Sequence, residues 1–200
     1  MEKKYKVLVL SDHALSTSGV GCQTRFLIEG LLAKYPGEWT FRQFGAAVKH
    51  SDYSTISISD DFIITPIDGF GDPNLIRTTL AIEKPDILLL FTDPRFFIWL
   101  WEMEDEIHQV CPIAYWHVWD NYPYPTFNRA WYLSNDLVAT ISKVTDDIVK
   151  TVAPEVDSKY IPHAVDSEVF SKREVPKQGH MKDKFVFFWN NSLALIEFKI

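Results

Sequence analysis

The chain has 200 residues, a formal net charge of −7 and a hydrophobic fraction of 46%. This length fits one large domain better than two, and the apolar fraction is that of a protein with a substantial core rather than of a disordered chain. The acidic balance argues against a nucleic-acid partner, because binding phosphates requires concentrated Lys and Arg. The two cysteines, Cys22 and Cys111, are too few for a disulfide framework or a four-ligand zinc site.

The sequence has neither a signal-peptide core nor a segment long enough to cross a membrane. The charged start leads directly into a short apolar strand. The longest apolar stretch, around Phe96–Trp101, is far shorter than the ~20 residues that span a bilayer. We therefore expect a cytoplasmic protein with no integral membrane segment.

Aliphatic and β-branched runs alternate with helical patterns along the first 161 residues. The runs predict strands at Tyr5–Leu10, Trp39–Phe44, Thr55–Ile58, Phe62–Ile67, Asp86–Phe91, Pro112–His117, Leu137–Ile141 and Ser158–Ile161. Helices are predicted after Ser18 and at Asn74–Glu83, Phe96–Gln109, Thr126–Leu133 and Lys143–Val152. This alternation predicts an α/β fold, a Rossmann-like parallel sheet with helices on both faces. Such sheets bind ligands beyond the carboxyl ends of their strands.

Beyond residue 161 the pattern changes. Residues 162–184 are polar and aperiodic and read as an interdomain linker, and Phe185–Trp189 then reads as a new buried strand. We interpret residues 1–161 as one domain and 185–200 as the first strand of a truncated second domain. An unpaired strand of this kind also leaves homodimer formation through its edge as a hypothesis.

The first helix is predicted to begin at Ser18 and to end at Pro36-Gly37, with Phe26, Leu27, Leu31 and Leu32 on its apolar face. It is preceded by a small-residue loop that holds Ser18, Gly19, Val20 and Gly21. Glycines let the backbone approach an anion, and a helix N-terminus offers free N–H groups and a partial positive charge. The loop lacks the third glycine of the dinucleotide fingerprint, since position 24 is Thr, so a tight turn without a ligand is the alternative.

Other candidate side chains follow the strands. His117 opens a stretch of aromatic, Asp and Asn residues whose composition suits a carbohydrate pocket, although it also suits an apolar edge covered by aromatic rings. Asp93 and Arg95 follow the central strand, where a capped turn is the favoured alternative. The candidate residues at this edge, including His13 after the first strand, are His13, Asp93, Arg95, His117, Trp119, Asp120, Asn121, Tyr122 and Ser142. The histidines show no ligand-like spacing, so no metal is expected.

Four segments together resemble the GT-B glycosyltransferases of the family-4 type. The segment Tyr160–Phe170 resembles the Ile-Pro-Asn-Gly-Val-Asp-x-x-x-Phe crossover between their two Rossmann-like domains. Asp136–Ser142 resembles their penultimate N-domain strand, Ser18–Gly21 their glycine loop, and Lys84–Leu88 their Lys-Pro-Asp strand entry. The matches fall in the order of the family, and they imply that this chain is the N-terminal half of a GT-B fold.

The resemblance implies retaining transfer of a sugar from a UDP-, GDP- or ADP-type nucleotide-sugar donor to a hydroxyl-bearing sugar acceptor, with neither cofactor nor metal. Ser18 to Gly21 would bind the donor diphosphate, and His117 and Asp120 would act at the reacting sugar. His13, Asp93, Arg95, Trp119, Asn121, Tyr122 and Ser142 would form the acceptor side.

Three departures from the family pattern stand out. His163-Ala164 replaces the usual Asn-Gly, and Thr92-Asp93 lies where many members carry His. The family binds its donor chiefly in the second domain with two Glu eight positions apart, and no two Glu of this chain have that spacing. We therefore expect the isolated chain to be inactive. The alternatives are a non-catalytic sugar- or partner-binding module and half of a sugar-nucleotide epimerase of the same fold, while the missing fingerprint argues against an oxidoreductase.

Overall fold

The computed structural model describes residues 4–49 and 51–172, together with residues 179 and 182. The chain divides into two units, Met1–Ala164 and Val165–Ile200. In the second unit the described part includes a turn, in which Asp166 accepts hydrogen bonds from the backbone N–H groups of Glu168 and Phe170. The predicted strand Phe185–Trp189 and most of the predicted linker lie outside the described residues.

The first unit alternates strands and helices nearly as the sequence predicts. Its strands are β1 (Tyr5–Asp12), β2 (Trp39–Ala46), β3 (Ile56–Ser59), β4 (Phe62–Pro66), β5 (Ile87–Phe91), β6 (Ile113–His117), β7 (Leu137–Thr140) and β8 (Ser158–Tyr160). Its α-helices are α1 (Gly19–Lys34), α2 (Pro73–Glu83), α3 (Ile98–Trp101), α4 (Glu104–His108), α5 (Arg129–Leu133) and α6 (Lys143–Val152). Short 3₁₀ helices precede α3 and α5, at Pro94–Phe96 and Thr126–Asn128.

The strands form one sheet in the order β3-β4-β2-β1-β5-β6-β7-β8. All pairings are parallel except that of β3 with β4, so the predicted α/β, Rossmann-like fold is confirmed. The expectation of a wholly parallel sheet is wrong at β3, because only Asp60 and Asp61 separate it from β4. So short a connection can join antiparallel strands only. The strand order reverses at β1, which pairs with β2 on one side and β5 on the other.

Helices cover the two faces unequally. On one face Val7, Val9, Phe41 and Ile64 pack with Ile28 of α1. The opposite face of the sheet packs against α2, α4 and α6, through Ile76, Leu80, Ile107, Ile148 and Val149. Burial on both faces explains why the central strands are uninterrupted apolar runs.

Two predicted helical features are wrong. Phe26 is exposed, and the buried residues of α1 are Gly21, Thr24 and Ile28, because the start of the helix lies close to the sheet. The predicted helix Phe96–Gln109 is broken into shorter pieces at Phe97 and Met103, whose φ angles are −113° and −116°. Both side chains are buried in the core, so packing there overrides the helical periodicity.

Candidate functional site

The loops that follow β1, β5, β6 and β7 all leave the same edge of the sheet, since these strands are parallel. We call this edge the carboxyl edge. It includes the point between β1 and β5 where the strand order reverses, which is where open α/β sheets bind ligands. The predicted site residues therefore lie along one edge, although their side chains have different environments.

The loop after β1 is held by a short polar relay. The Ser18 hydroxyl donates to Asp12 Oδ2 at 2.7 Å and accepts from the Gly21 N–H at 2.9 Å, so it caps α1 as predicted. Burial raises the pKa of Asp12, and the Ser18 hydrogen bond opposes this shift. A Cβ at Gly21 would lie 2.3 Å from Ser16 Oγ and 2.5 Å from the His13 carbonyl oxygen. Glycine is therefore required at position 21 for close packing.

The first two amides of α1 remain available to a ligand. The Gly21 N–H donates to Ser18 Oγ and the Cys22 N–H to the Ser18 carbonyl. Within the described chain, the N–H groups of Gly19 and Val20 have no hydrogen-bond acceptor. A Cβ at Gly19 would meet nothing within 4 Å, so this turn is open. Free amides at the start of a 16-residue helix can bind an anion.

Gln43 of β2 organises the same loop, and the sequence analysis missed it. Its Nε2 donates to Ser11 Oγ and to the Asp12 carbonyl, both at 2.8 Å, while its Oε1 accepts from the Ala14 N–H at 3.3 Å. The side chain is 1% exposed. A glutamine among the apolar residues of a buried strand is the signal that could have identified it, because buried amides are retained where they are hydrogen-bonded.

His13, predicted on the acceptor side, is buried beneath this loop. Its Nδ1 accepts a hydrogen bond from the Leu15 N–H at 3.1 Å, which means that Nδ1 carries no proton. A Cβ at Gly45 of β2 would lie 2.6 Å from the His13 ring, so the absence of a side chain there makes room for the imidazole. The observed contacts of His13 support the loop from within.

His117 lies in a sealed network at the end of β6. Its Nδ1 is 3.0 Å from the Tyr115 hydroxyl and its Nε2 is 2.7 Å from the Tyr132 hydroxyl. The Tyr115 hydroxyl donates to the Thr92 carbonyl at 2.8 Å, so its oxygen accepts from Nδ1–H. Nε2 then accepts from the Tyr132 hydroxyl, which in turn accepts from the Asn128 amide at 3.3 Å.

This chain of donors fixes one neutral tautomer of His117. The side chain is 0% exposed, and burial lowers the pKa of His117 to about 3. Burial also raises the pKa of Tyr132 to about 12, which keeps its hydroxyl protonated. Both imidazole nitrogens are therefore occupied and out of reach of a ligand in this structure. The network instead joins the ends of β5 and β6 to α5.

Asp93 and Arg95 pair with each other at the end of β5. Asp93 accepts from the backbone N–H of Arg95 and from its guanidinium Nε and NH2, each at 2.9 Å. Burial opposes ionisation of Asp93, but the hydrogen bonds from Arg95 outweigh it and lower the pKa of the carboxyl. This is the capped turn that the sequence analysis favoured for these residues. The Arg95 side chain is 71% exposed, so the guanidinium faces solvent.

The loop after β6 presents polar and aromatic groups to solvent. Asp120, Asn121 and Tyr122 are exposed, and the Tyr122 ring lies 6.1 Å from that of Tyr124. Trp119 packs against the core, and its Nε1 is buried with no acceptor among the described residues. Ser142 accepts from the Thr145 N–H at 3.1 Å and caps α6. Asp120, Asn121 and Tyr122 are therefore accessible to a ligand, whereas the observed contacts of Ser142 lie within its own helix cap.

The segment that follows β8 crosses the same edge. The Ile161 carbonyl accepts from Trp116 Nε1 at 3.1 Å. The side-chain amide of Gln23 in α1 bonds both backbone groups of Ala164, donating to the oxygen at 2.6 Å and accepting from the nitrogen at 2.9 Å. His163 lies between Ile161 and Ala164 in the chain. Its ring is edge-on to the rings of Phe91 and Trp116, with centroid distances of 5.6 Å and 5.2 Å.

The described residues contain no group of three or more His, Cys, Asp and Glu side chains arranged to hold a metal ion. None of their helices is both long enough and apolar enough to pass through a bilayer.

Comparison with known proteins adds no family to these observations. The sequence matches no protein-family model. A search of curated proteins likewise finds no significant match.

Proposed function

We propose that this domain is the acceptor-side half of a nucleotide-sugar-dependent glycosyltransferase, which transfers a sugar to a hydroxyl acceptor with retention of configuration. The observation that carries the proposal is the open first turn of α1, whose two free amides lie where the strand order reverses. A diphosphate leaving group develops negative charge, and preorganised backbone amides stabilise such charge without reorganising. The four segments that resemble the GT-B family support the same assignment.

The remaining polar residues of the carboxyl edge divide into two roles. Gly19 and Val20 would contact the diphosphate, and Ser18 and Gly21 would hold their amides in place. On the acceptor side, Asp120, Asn121 and Tyr122 are exposed and provide the hydrogen-bonding and stacking groups that suit a sugar. His117 would act by position, since its network fixes the strand ends from which the loops of Asp93 and Asp120 begin.

Nuclear magnetic resonance spectra of the 200-residue chain test this proposal. Inorganic pyrophosphate, UDP, GDP and ADP should each shift the amide signals of Gly19, Val20 and Gly21. Their affinities should agree within about threefold, because only the phosphates contact this half. The signals of Asp120 to Tyr122 should respond to monosaccharides instead.

Four results would contradict the proposal. Unchanged signals at residues 19–21 would remove the diphosphate site. A preference of tenfold or more for one nucleoside diphosphate over pyrophosphate would place a nucleotide site in this half. Binding of NAD with higher affinity than pyrophosphate would favour a dinucleotide-binding oxidoreductase. Binding of monosaccharides without pyrophosphate would favour the non-catalytic sugar-binding module.

A further inference from the structure

The imidazole of His163 lies over the two strands that carry the centre of the carboxyl edge. Phe91 is the last residue of β5, and Trp116 is the penultimate residue of the neighbouring β6. The His163 ring makes an edge contact with each of these aromatic rings. The ring therefore has a defined position against the sheet, at the edge where the proposed function requires substrates to bind.

The backbone on either side of His163 is also fixed. Trp116 holds the Ile161 carbonyl, and Gln23 makes two hydrogen bonds to Ala164. Two aromatic contacts and three hydrogen bonds therefore restrict the position of a single side chain and its neighbours. Such preorganisation reduces the entropy lost when a group contacts a ligand.

His163 differs from the other histidines of the described chain in the availability of its nitrogens. His117 uses both ring nitrogens and is fully buried, while His13 is buried and accepts from the Leu15 N–H. His108 pairs with Asp136. The His163 side chain is exposed, and its ring nitrogens form no hydrogen bond to any described residue.

The neighbouring helix indicates the chemistry of a ligand that would reach His163. Gly19 and Gln23 are four residues apart, so they lie on the same face of α1, about one helical turn from each other. Gln23 contacts Ala164, and Val20 packs against the cluster of Phe91 and Trp116 that also contacts the His163 ring, so the first turn of α1 lies on the side of the sheet that carries His163. A ligand with an anionic group and a polar neutral group can engage both features.

The charge state of His163 favours a hydroxyl as the neutral group. Partial burial lowers the pKa of His163, which favours the neutral imidazole. A neutral imidazole has one donor and one acceptor, as a hydroxyl does, whereas a phosphate oxygen at neutral pH mainly accepts.

We propose that His163 is a substrate-contacting residue that hydrogen-bonds a hydroxyl of a sugar phosphate, whose phosphate binds the free amides of Gly19 and Val20. The inference rests on the proposed function and adds a residue that the family pattern does not supply, since the family carries Asn at this position. It also names an aldose 1-phosphate as the minimal ligand of this half.

The test compares sugar phosphates with inorganic phosphate on two matched variants of the full chain. His163→Phe keeps a ring against Phe91 and Trp116 but removes both nitrogens, and His163→Asn restores a donor and an acceptor. The 1-phosphates of glucose, galactose and mannose and inorganic phosphate are titrated while the amide signals of Gly19 and Val20 are followed. At least one sugar phosphate should bind the natural chain about fivefold more tightly than phosphate does, as expected for one added hydrogen bond.

In His163→Phe this preference should disappear while phosphate affinity stays within twofold, and His163→Asn should recover part of the preference. If phosphate binds but no sugar phosphate is preferred, or if His163→Phe keeps the preference, the inference fails while the diphosphate site of the proposed function stands. If neither phosphate nor any sugar phosphate shifts residues 19 and 20, both fail.

A second measurement does not depend on ligand binding. Diethylpyrocarbonate reacts with neutral, accessible imidazoles, so peptide mapping at pH 7 should find His163 modified at least tenfold faster than His117 or His13. Equal rates at His163 and His117 would show that the His163 nitrogens are not available and would overturn the inference.

Discussion

The polar groups around His117 at the end of β6 are sealed into a hydrogen-bond network, whereas the backbone groups at the start of α1, beside β1, are partly open. His117 has both nitrogens hydrogen-bonded to tyrosine hydroxyls and no exposed surface. The first turn of α1 has two amides without acceptors in the described chain and open space beside Gly19. His117, which the sequence analysis singled out among aromatic residues, is thus enclosed by its hydrogen-bond partners in this structure. The glycine loop before α1, in contrast, holds backbone amides that a ligand can reach.

The largest loss of stability is expected from disrupting the hydrogen-bond network around His117. His117→Ala leaves the hydroxyls of Tyr115 and Tyr132 without their shared partner and opens a cavity in the core. We expect the free energy of unfolding to fall by about 3–4 kcal/mol. Urea unfolding measures this change through the midpoint. Tyr132→Phe removes a single hydroxyl without a large cavity and should reduce the free energy of unfolding by about 1–2 kcal/mol. A loss below 1 kcal/mol in His117→Ala would mean that the network does not stabilise the strand ends.

On the open side, the largest effect should come from Gly21→Ala. Its new methyl group would lie 2.3 Å from Ser16 Oγ and 2.5 Å from the His13 carbonyl oxygen. Because the second of these atoms belongs to the backbone, it cannot move aside cheaply, and we expect a loss of about 2 kcal/mol. Thermal unfolding followed by circular dichroism measures the loss. A variant as stable as the natural chain would show that the loop adapts and that its shape is not preset.

Lowering the pH should reduce the stability contributed by the His117 network before most carboxyl groups become protonated. The pKa of His117 is about 3 in the folded protein and 6.5 in its ordinary state. The unfolded chain therefore binds a proton as the pH falls through 6.5, while the folded chain does not bind it until about pH 3. The free energy of unfolding should fall with decreasing pH in this window, by at most about 1.4 kcal/mol per pH unit from this residue.

Urea unfolding at pH 7.5, 6.5 and 5.5 measures this slope. The range lies above the pKa of the stabilised carboxyls, including Asp93, whose pKa is lowered. His163 also has a lowered pKa, so His163→Gln is the matched control for His117→Gln. The slope should become much smaller in the His117 variant and only slightly smaller in the control; equal slopes in the two variants would assign the effect elsewhere.

The smallest change in stability, with a large change in binding, is expected from Gly19→Ala. A Cβ at this position meets nothing within 4 Å, and alanine favours a helix more than glycine does. Stability should stay within about 0.5 kcal/mol of the natural chain. Pyrophosphate affinity, measured by isothermal titration calorimetry, should fall about tenfold, because the methyl group occupies space beside the free amides. Unchanged affinity would place the anion elsewhere and remove the contrast between the two sides.

Much of the fold follows from local sequence. The buried runs around Leu8 and Leu90 predict central strands, because a strand covered on both faces is apolar at every position. Ser18 predicts where the first helix begins, because a cap depends on residues only two or three positions away. The alternation of these elements then predicts the parallel sheet, and with it the edge at which the candidate residues gather.

The roles of the histidines could not be predicted in the same way. Each depends on a partner distant in sequence: His117 on Tyr132, fifteen positions away, and His163 on Phe91 across the sheet. The break of the predicted helix at Phe97 and Met103 likewise follows from packing in the core. Sequence by itself determined the elements, their caps and the edge where they end. Only the tertiary structure decided which polar groups at that edge are already hydrogen-bonded, because hydrogen bonds between distant residues leave no periodic pattern in the chain.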